Sequence, residues 1–360
     1  MARSLPARFA AQFSERVWFG AVVIAAVFAT ITFVAAGIVG MPVRDPEQRY
    51  GLAFASALLV IALAIDVAVR VVNRTLTSEL RWREAFRQVR YERLQWRRYG
   101  IALIGFASFH VIYICYRNLK SYLYFFRGDV NYDAWLDEVD RWLFFGAQPG
   151  ELMHSILGTG LWAHLLDSVY LVFLPFVPIS VAIALMWGPS LRQGFWYVNA
   201  LSLNWIFGTA SYYIFPALGP IYAYSEIFDH LPHTGVARLQ GWLESHRLDL
   251  IADPIGTDRI MSIAAFASLH TSIVFTAFLV LALLGYRRLT RIAFVFFVLT
   301  VMSTIYFGWH YVLDDVAGVI VGGLAVLVAA WITGVDRERL TSWRAELRAR
   351  ERDASGQEPA

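Results

Sequence analysis

The chain is nearly without lysine. Of its 31 basic residues only Lys120 is a lysine, and the rest are arginines. Cysteine is equally scarce: Cys115 stands alone, which excludes an intrachain disulfide and a cysteine-based metal framework. Charge of both signs is low, at 16% of 360 residues, where a soluble domain carries roughly 25%. With 58% hydrophobic residues and a mean hydropathy of +0.51, the composition suits a chain whose solvent is lipid. Short alternating strands are missing too, which sets aside a membrane β-barrel. No internal repeat or low-complexity block is present.

What the sequence does have is long apolar runs. Eight are long enough to cross a bilayer, which takes about 20 residues as a helix: about 17–40, 50–73, 99–116, 163–187, 193–216, 267–285, 290–309 and 311–334. Lipid leaves no partner for unpaired backbone groups, so each run is expected to be helical. The first run follows Arg3, Arg8 and Arg16 but is longer than a signal-peptide core, and is read as a retained span. The expected architecture is all-α and polytopic. Residues 1–98 form a two-helix hairpin with a basic connector, 99–335 a six-helix catalytic domain, and 336–360 a disordered tail.

Arginine is unevenly placed. Eight fall within 73–98 and six after residue 335. Basic residues gather on the cytoplasmic side, so both termini are expected there, with connections 117–162 and 217–266 outside. This placement predicts a multi-pass protein of the plasma membrane. The basic segments fit anionic lipid head groups better than nucleic acid in such a chain. Inside the second run, Asp66 and Arg70 are one helical turn apart and are read as a self-paired bridge. Two external stretches are amphipathic. In "NYDAWLDEVDRWLFFG", Trp135, Leu136, Val139, Trp142 and Leu143 share a face opposite or beside Asp133, Asp137, Glu138 and Asp140. "VARLQGWLESHRL" repeats the pattern with Leu239, Trp242 and Leu243. Such helices lie in the membrane surface, either as an access rim for lipid or only as capped loops.

The chemistry concentrates in "STIYFGWHYVLDD", residues 303–315. Alternating span direction brings His270, His310 and Asp314 to the external ends of three consecutive spans. His310 and Asp314 are four residues apart, a spacing that lets a carboxylate orient an imidazole and raise the basicity of its other nitrogen. Ser268 is placed to cap the helix carrying His270, and helix N-termini hold anions. An oriented histidine, a second histidine and an anion cradle suit phosphoryl transfer: His310 as nucleophile, Asp314 as its holder, His270 as acid. A two-histidine, one-carboxylate metal site is chemically possible with the same residues, and structural polar glue between spans is the bland alternative. Asp315, about 100° round a helix from Asp314, is expected to face elsewhere. Gly318 and Gly322 are read as a helix-packing face. His164 and Asp167 are read either as reaching the external pocket or as a helix-end pair.

The motifs "ASLH" and "STIYFGWHYVLDDVAG" resemble the second and third signatures of the type 2 phosphatidic acid phosphatase superfamily, with the inositol phosphorylceramide synthase and inositolphosphotransferase branch as the nearest. That branch shows Pro-Ser-Leu-His and then a Tyr-containing run into His-Tyr-x-x-Asp, and "YDAWLDEVDRWLFFGAQP" is similar to it as well. The resemblance covers roughly residues 100–330. It implies a six-helix core, a phosphohistidine mechanism that needs neither metal nor cofactor, and lipid phosphate or phosphodiester substrates. Carried over by motif, His310 matches the nucleophile, Asp314 its orienting partner and His270 the acid; Ser268, Lys120, Arg127, Tyr306 and Ser303 are the expected substrate-binding residues. Three departures stand out. Ala267 replaces the proline, and Thr304 occupies the place of the arginine that grips phosphate in phosphatases. The first signature, Lys-x6-Arg-Pro, is matched only by Lys120 and Arg127 followed by glycine. The expected activity is transfer of a phospho-head group, with phosphoinositol as the branch's suggestion, from a phospholipid to a lipid or glycolipid hydroxyl. A phosphatase acting on prenyl or glycerolipid phosphates is the alternative, and a lipid transporter or flippase the second. The sequence sets no oligomeric state.

Overall fold

The computed structural model describes residues 16–45, 64, 67–77, 81–93, 96–261 and 263–355. Most of the second apolar run, and Asp66 with it, lies outside them. The described residues form helices joined by short connections, with no strand among them. We number twelve helices in chain order. They are α1 (Phe19–Val39), α2 (Trp82–Arg93), α3 (Trp96–Arg127), α4 (Asp133–Leu143), α5 (Pro149–Leu157), α6 (Leu161–Met186), α7 (Leu191–Ile214), α8 (Gly235–Ala252), α9 (Leu269–Leu284), α10 (Arg287–Tyr306), α11 (Val312–Thr333) and α12 (Arg337–Ser355). Segment 67–77 is helical as well.

Five helices among the described residues are long and apolar enough to cross a membrane: α1, the Arg98–Arg127 part of α3, α6, α10 and α11. Helix α9 is apolar but shorter. Helix α7 stays below that level of apolarity for a physical reason. It is the central post, packed by α11, α3, α6, α9 and α1. Asn199, Ser202, Asn204 and Thr209 are buried on it, facing other helices rather than lipid. Asn204 Nδ2 donates to Thr276 Oγ1 at 2.9 Å, and Trp196 Nε1 donates to the Val326 carbonyl at 3.0 Å. This architecture is that of a polytopic, all-helical membrane protein.

Two regions differ from expectation. Helix α3 continues past residue 116 to Arg127, because Leu119, Tyr122 and Leu123 extend its buried face. Lys120 therefore rides on a helix instead of an external loop. The tail, expected to be disordered over 336–360, is helical over Arg337–Ser355, which is α12. Leu340 and Trp343 pack against the core, and Arg344 Nε donates to the Leu283 carbonyl at 2.7 Å. An Arg/Glu-rich composition hides those two apolar anchors.

The short helices α4, α5 and α8 cover one end of the bundle, where α9 and α11 begin and α10 ends.

Candidate active site

Serine 268 caps α9 as expected, its Oγ accepting the Thr271 N–H at 3.4 Å. Its own N–H donates to the Asp314 carbonyl at 3.0 Å, tying the starts of α9 and α11 together. Close approach is possible because Gly318 faces that junction: a Cβ there would lie 2.5 Å from the Ser268 carbonyl oxygen.

Histidine 310 does not lie on a helix. Helix α10 ends at Tyr306, the chain turns through Gly308 at φ +67°, and α11 begins only at Val312. Asp314 nevertheless reaches His310 by folding back over the start of its own helix. Its Oδ2 accepts the Tyr311 N–H at 3.0 Å and meets His310 Nδ1 at 3.4 Å. On the other side of the ring, His310 Nε2 faces His270 Nδ1 at 3.2 Å. If Nδ1 of His310 carries the proton toward Asp314, then Nε2 presents its lone pair and His270 donates to it. Burial pushes His310 down to about 4, with Lys120 adding to the fall and Asp315 opposing it. The ring is thus neutral at neutral pH. His270 packs among aromatics, its ring 4.6 Å from Phe173 and 4.9 Å from Tyr170. Tyr170 in turn stacks on Trp309 at 5.1 Å.

Lys120 is buried within electrostatic range of both histidines. Its ammonium donates to the Tyr116 hydroxyl at 3.3 Å and sits 4.9 Å from the Tyr212 ring centroid. It has no carboxylate partner among the described residues. A buried cation held by aromatic rings instead of an acid is available to an incoming anion.

Asp315 is turned away from Asp314 and has partners of its own. It is buried and accepts the hydroxyls of Thr271 and Thr304, the latter at 3.2 Å, and so ties α9, α10 and α11 together. Thr304, which the motif resemblance sets in the place of a phosphate-gripping arginine, serves this carboxylate. Ser303 and Tyr306, expected to bind substrate, are committed elsewhere. Ser303 Oγ donates to the Leu166 carbonyl at 2.9 Å and Tyr306 OH to the Gly158 carbonyl at 2.8 Å, so their hydroxyls tie α10 to neighbouring backbone. Asp167, the acid paired in sequence with His164, accepts the Val236 N–H and caps α8. Arg127 stands at the end of α3, its Nε buried without a hydrogen-bond partner among the described residues.

Sequence reasoning missed the role of α4's acidic face. Trp135, Trp142 and Leu143 are exposed, as a membrane-surface face would be, while Asp133, Asp137 and Asp140 are buried. Asp133 accepts the N–H groups of Leu218 and Gly219, both at 2.8 Å, and the Tyr311 hydroxyl at 3.0 Å. Asp140 Oδ2 accepts the Val312 N–H at 2.9 Å, so it caps α11 from a different helix. Burial pushes Asp140 up to about 6, the charges of Asp314 and Asp137 add to this, and the amides of Val312 and Leu313 oppose it. The period of the three acids was visible; the partners of Asp133 and Asp140, 80 or more residues away, were not, while Asp137 pairs locally with Arg141 at 2.7 Å. Gln240 was missed in the same way: it sits on the buried face of α8, with Nε2 donating to the Phe307 carbonyl at 2.8 Å. Among the described residues no three His, Cys, Asp or Glu side chains converge as a metal-binding set.

One end of this helical membrane bundle thus brings together two histidines and a carboxylate, with a buried lysine in electrostatic range. The family model of the PAP2 superfamily matches residues 134–328, more than half of the chain, and the protein belongs to that superfamily. The match is to the superfamily as a whole and assigns the chain to lipid phosphatases and phosphotransferases, with lipid phosphates in the membrane as the substrate class. No curated protein and no solved structure matches the chain.

Proposed function

We propose that the protein is a lipid phosphotransferase working through a phosphohistidine, with its site at the outer face of the plasma membrane and both termini in the cytoplasm. The observation that carries this reading is the pairing of a neutral, carboxylate-held His310 with a buried lysine that has no carboxylate partner among the described residues. His310 Nε2 attacks phosphorus of the donor lipid, forming the P–N bond as the P–O bond to the leaving group breaks. His270 delivers a proton to the departing oxygen. Lys120 and the capped start of α9 at Ser268 hold the phosphoryl oxygens. In the second half-reaction an acceptor hydroxyl gives its proton to His270 and attacks phosphorus, and the P–N bond breaks. The direct contact between the two histidines must open for the phosphoryl group to enter. Asp314 keeps the Nδ1 proton of His310 throughout. The absence of a gripping arginine at Thr304 favours a phosphodiester donor, which carries less charge than a monoester. Phosphoinositol is the transferred group that the motif resemblance suggests.

The test uses purified protein in mixed micelles with EDTA, supplied with labelled phosphatidylinositol or phosphatidic acid. Wild type is expected to move label to a second lipid and to give an acid-labile phosphoprotein. His310→Ala should lower turnover by about 10⁴-fold or more, as loss of a nucleophile does. Turnover that survives His310→Ala overturns the mechanism and returns attention to lipid transport. Free diacylglycerol with no labelled lipid product makes the protein a phosphatase.

A further inference from the structure

A cavity of about 170 Å³ opens at the end of α3. Its walls include Arg127 from the end of α3 and Arg247 from α8, facing a single acid, Asp129. Leu123 and Ile263 make the apolar side. Arg247 was singled out by nothing in the sequence, and the phosphoryl-transfer steps do not use it.

The cavity shares its frame with the candidate nucleophile. Leu218 lines it, and the Leu218 N–H is held by Asp133, whose other oxygen takes the hydroxyl of Tyr311, the neighbour of His310. Ala217 also lines it. The Ala217 carbonyl accepts the Ala265 N–H at 2.9 Å. Two guanidinium groups against one carboxylate leave net positive charge, and the planar fork of arginine matches phosphate oxygens in pairs. A water needs about 10–15 Å³ of such space, so the cavity has room for a phosphate on a small polyol.

We propose that this cavity is a second anion subsite, which takes a phosphomonoester on the polar part of one reactant, distinct from the phosphorus that His310 attacks. The assignment of that reactant rests on the phosphotransferase reading; the binding itself does not. Two sources share this chemistry: a soluble phosphorylated polyol, or a membrane lipid whose head group carries an extra phosphate.

The experiment uses the full chain in phosphatidylcholine nanodiscs. Calorimetric titration with glycerol 3-phosphate measures the soluble source. The ratio of kcat/KM for phosphatidylinositol 4-phosphate to that for phosphatidylinositol measures the lipid source. Loss of a charge-assisted contact is worth about tenfold or more, so Arg247→Gln should weaken glycerol 3-phosphate binding, or lower the lipid ratio, by that factor. Whichever measure moves identifies the source. Arg247→Lys keeps the charge and should recover part of the loss, which a folding defect would not. Both measures staying within twofold of wild type in Arg247→Gln overturns the proposal. Should His310→Ala retain turnover, the phosphotransferase reading falls, and the titration alone then decides the subsite.

Discussion

Helices α9 and α11 begin side by side, yet their first turns are treated in opposite ways. Helix α9 is capped by its own neutral serine, and its first turn carries His270. Helix α11 is wrapped in carboxylate: Asp140 takes the Val312 N–H from outside, Asp314 takes the Tyr311 N–H from within, and Asp315 adds a third acid. Both ends carry the positive pole of a helix dipole. At α11 that pole is already satisfied, so its role is to hold His310 still. At α9 the carboxylate of Asp315 is met by the Thr271 side chain, and Lys120 lies within range of His270. Under the proposed function, one helix start serves as the anvil and the other as the anion cradle.

Lys120→Met should break this division most. Removing the cation is expected to lower kcat/KM on lipid phosphates by about 10²–10³, the range seen when one transition-state charge partner is lost. Stability should hold or rise, because methionine fills similar space without the desolvation of a buried charge. Parallel measurement of turnover and thermal midpoint decides the matter. A large fall in midpoint with turnover intact would make Lys120 a packing residue and remove the cradle.

Much of that cradle was readable in the sequence, and the anvil was not. Apolar run length and span alternation bring His270, His310 and Asp314 to one end without knowledge of any contact, and Ser268 announces itself as a cap by residue type. These are local or topological signals. The link from His310 to Asp314 was read through helical spacing, whereas the two meet because Asp314 folds back over a helix start that excludes His310. The acids of α4 carry a helical period that hydropathy reads from the tryptophan side. Only the packed structure shows Asp133 and Asp140 finding Tyr311 and Val312 across the chain. Asp315 is turned from Asp314 as the helical spacing predicts, but that spacing says nothing about what α9 and α10 offer on its side, which is two threonine hydroxyls.

Asp140 sharpens the comparison next. Asp140→Ala leaves the Val312 N–H without its acceptor. Loss of a helix cap costs about 1–2 kcal/mol, and turnover should fall about tenfold as His310 loses its fixed base, in line with other orienting partners. Asp140→Asn keeps an acceptor oxygen and should retain most of both. The charge shows up through pH. The carboxyl is held at about 6 in the fold against an ordinary 3.8. A raised value means the folded chain binds more protons than the unfolded chain between those limits, so its contribution to stability is full at low pH and is lost as pH rises through about 6. Asp140→Asn escapes that loss. Its midpoint relative to wild type should be more favourable at about pH 7.5 than at about pH 5. An equal difference at both would show that the buried acid is not titrating in this range.

The smallest effect is expected at Tyr311. Its hydroxyl donates to Asp133 Oδ1 at 3.0 Å, but Asp133 also holds the N–H groups of Leu218 and Gly219. In Tyr311→Phe the carboxylate keeps both amide donors, so no buried charge is left bare. The loss is one ordinary hydrogen bond, about 1 kcal/mol. Turnover should stay near wild type, because His310 is held through the backbone N–H of Tyr311 and the Asp314 carboxylate, neither of which the substitution touches. Thermal midpoint and turnover on the same preparation give the answer. If Tyr311→Phe costs as much activity as Asp140→Ala, then α11 is held at its tyrosine and not by the acid at its first amide. Its start would then differ from that of α9 in side-chain anchoring rather than in charge.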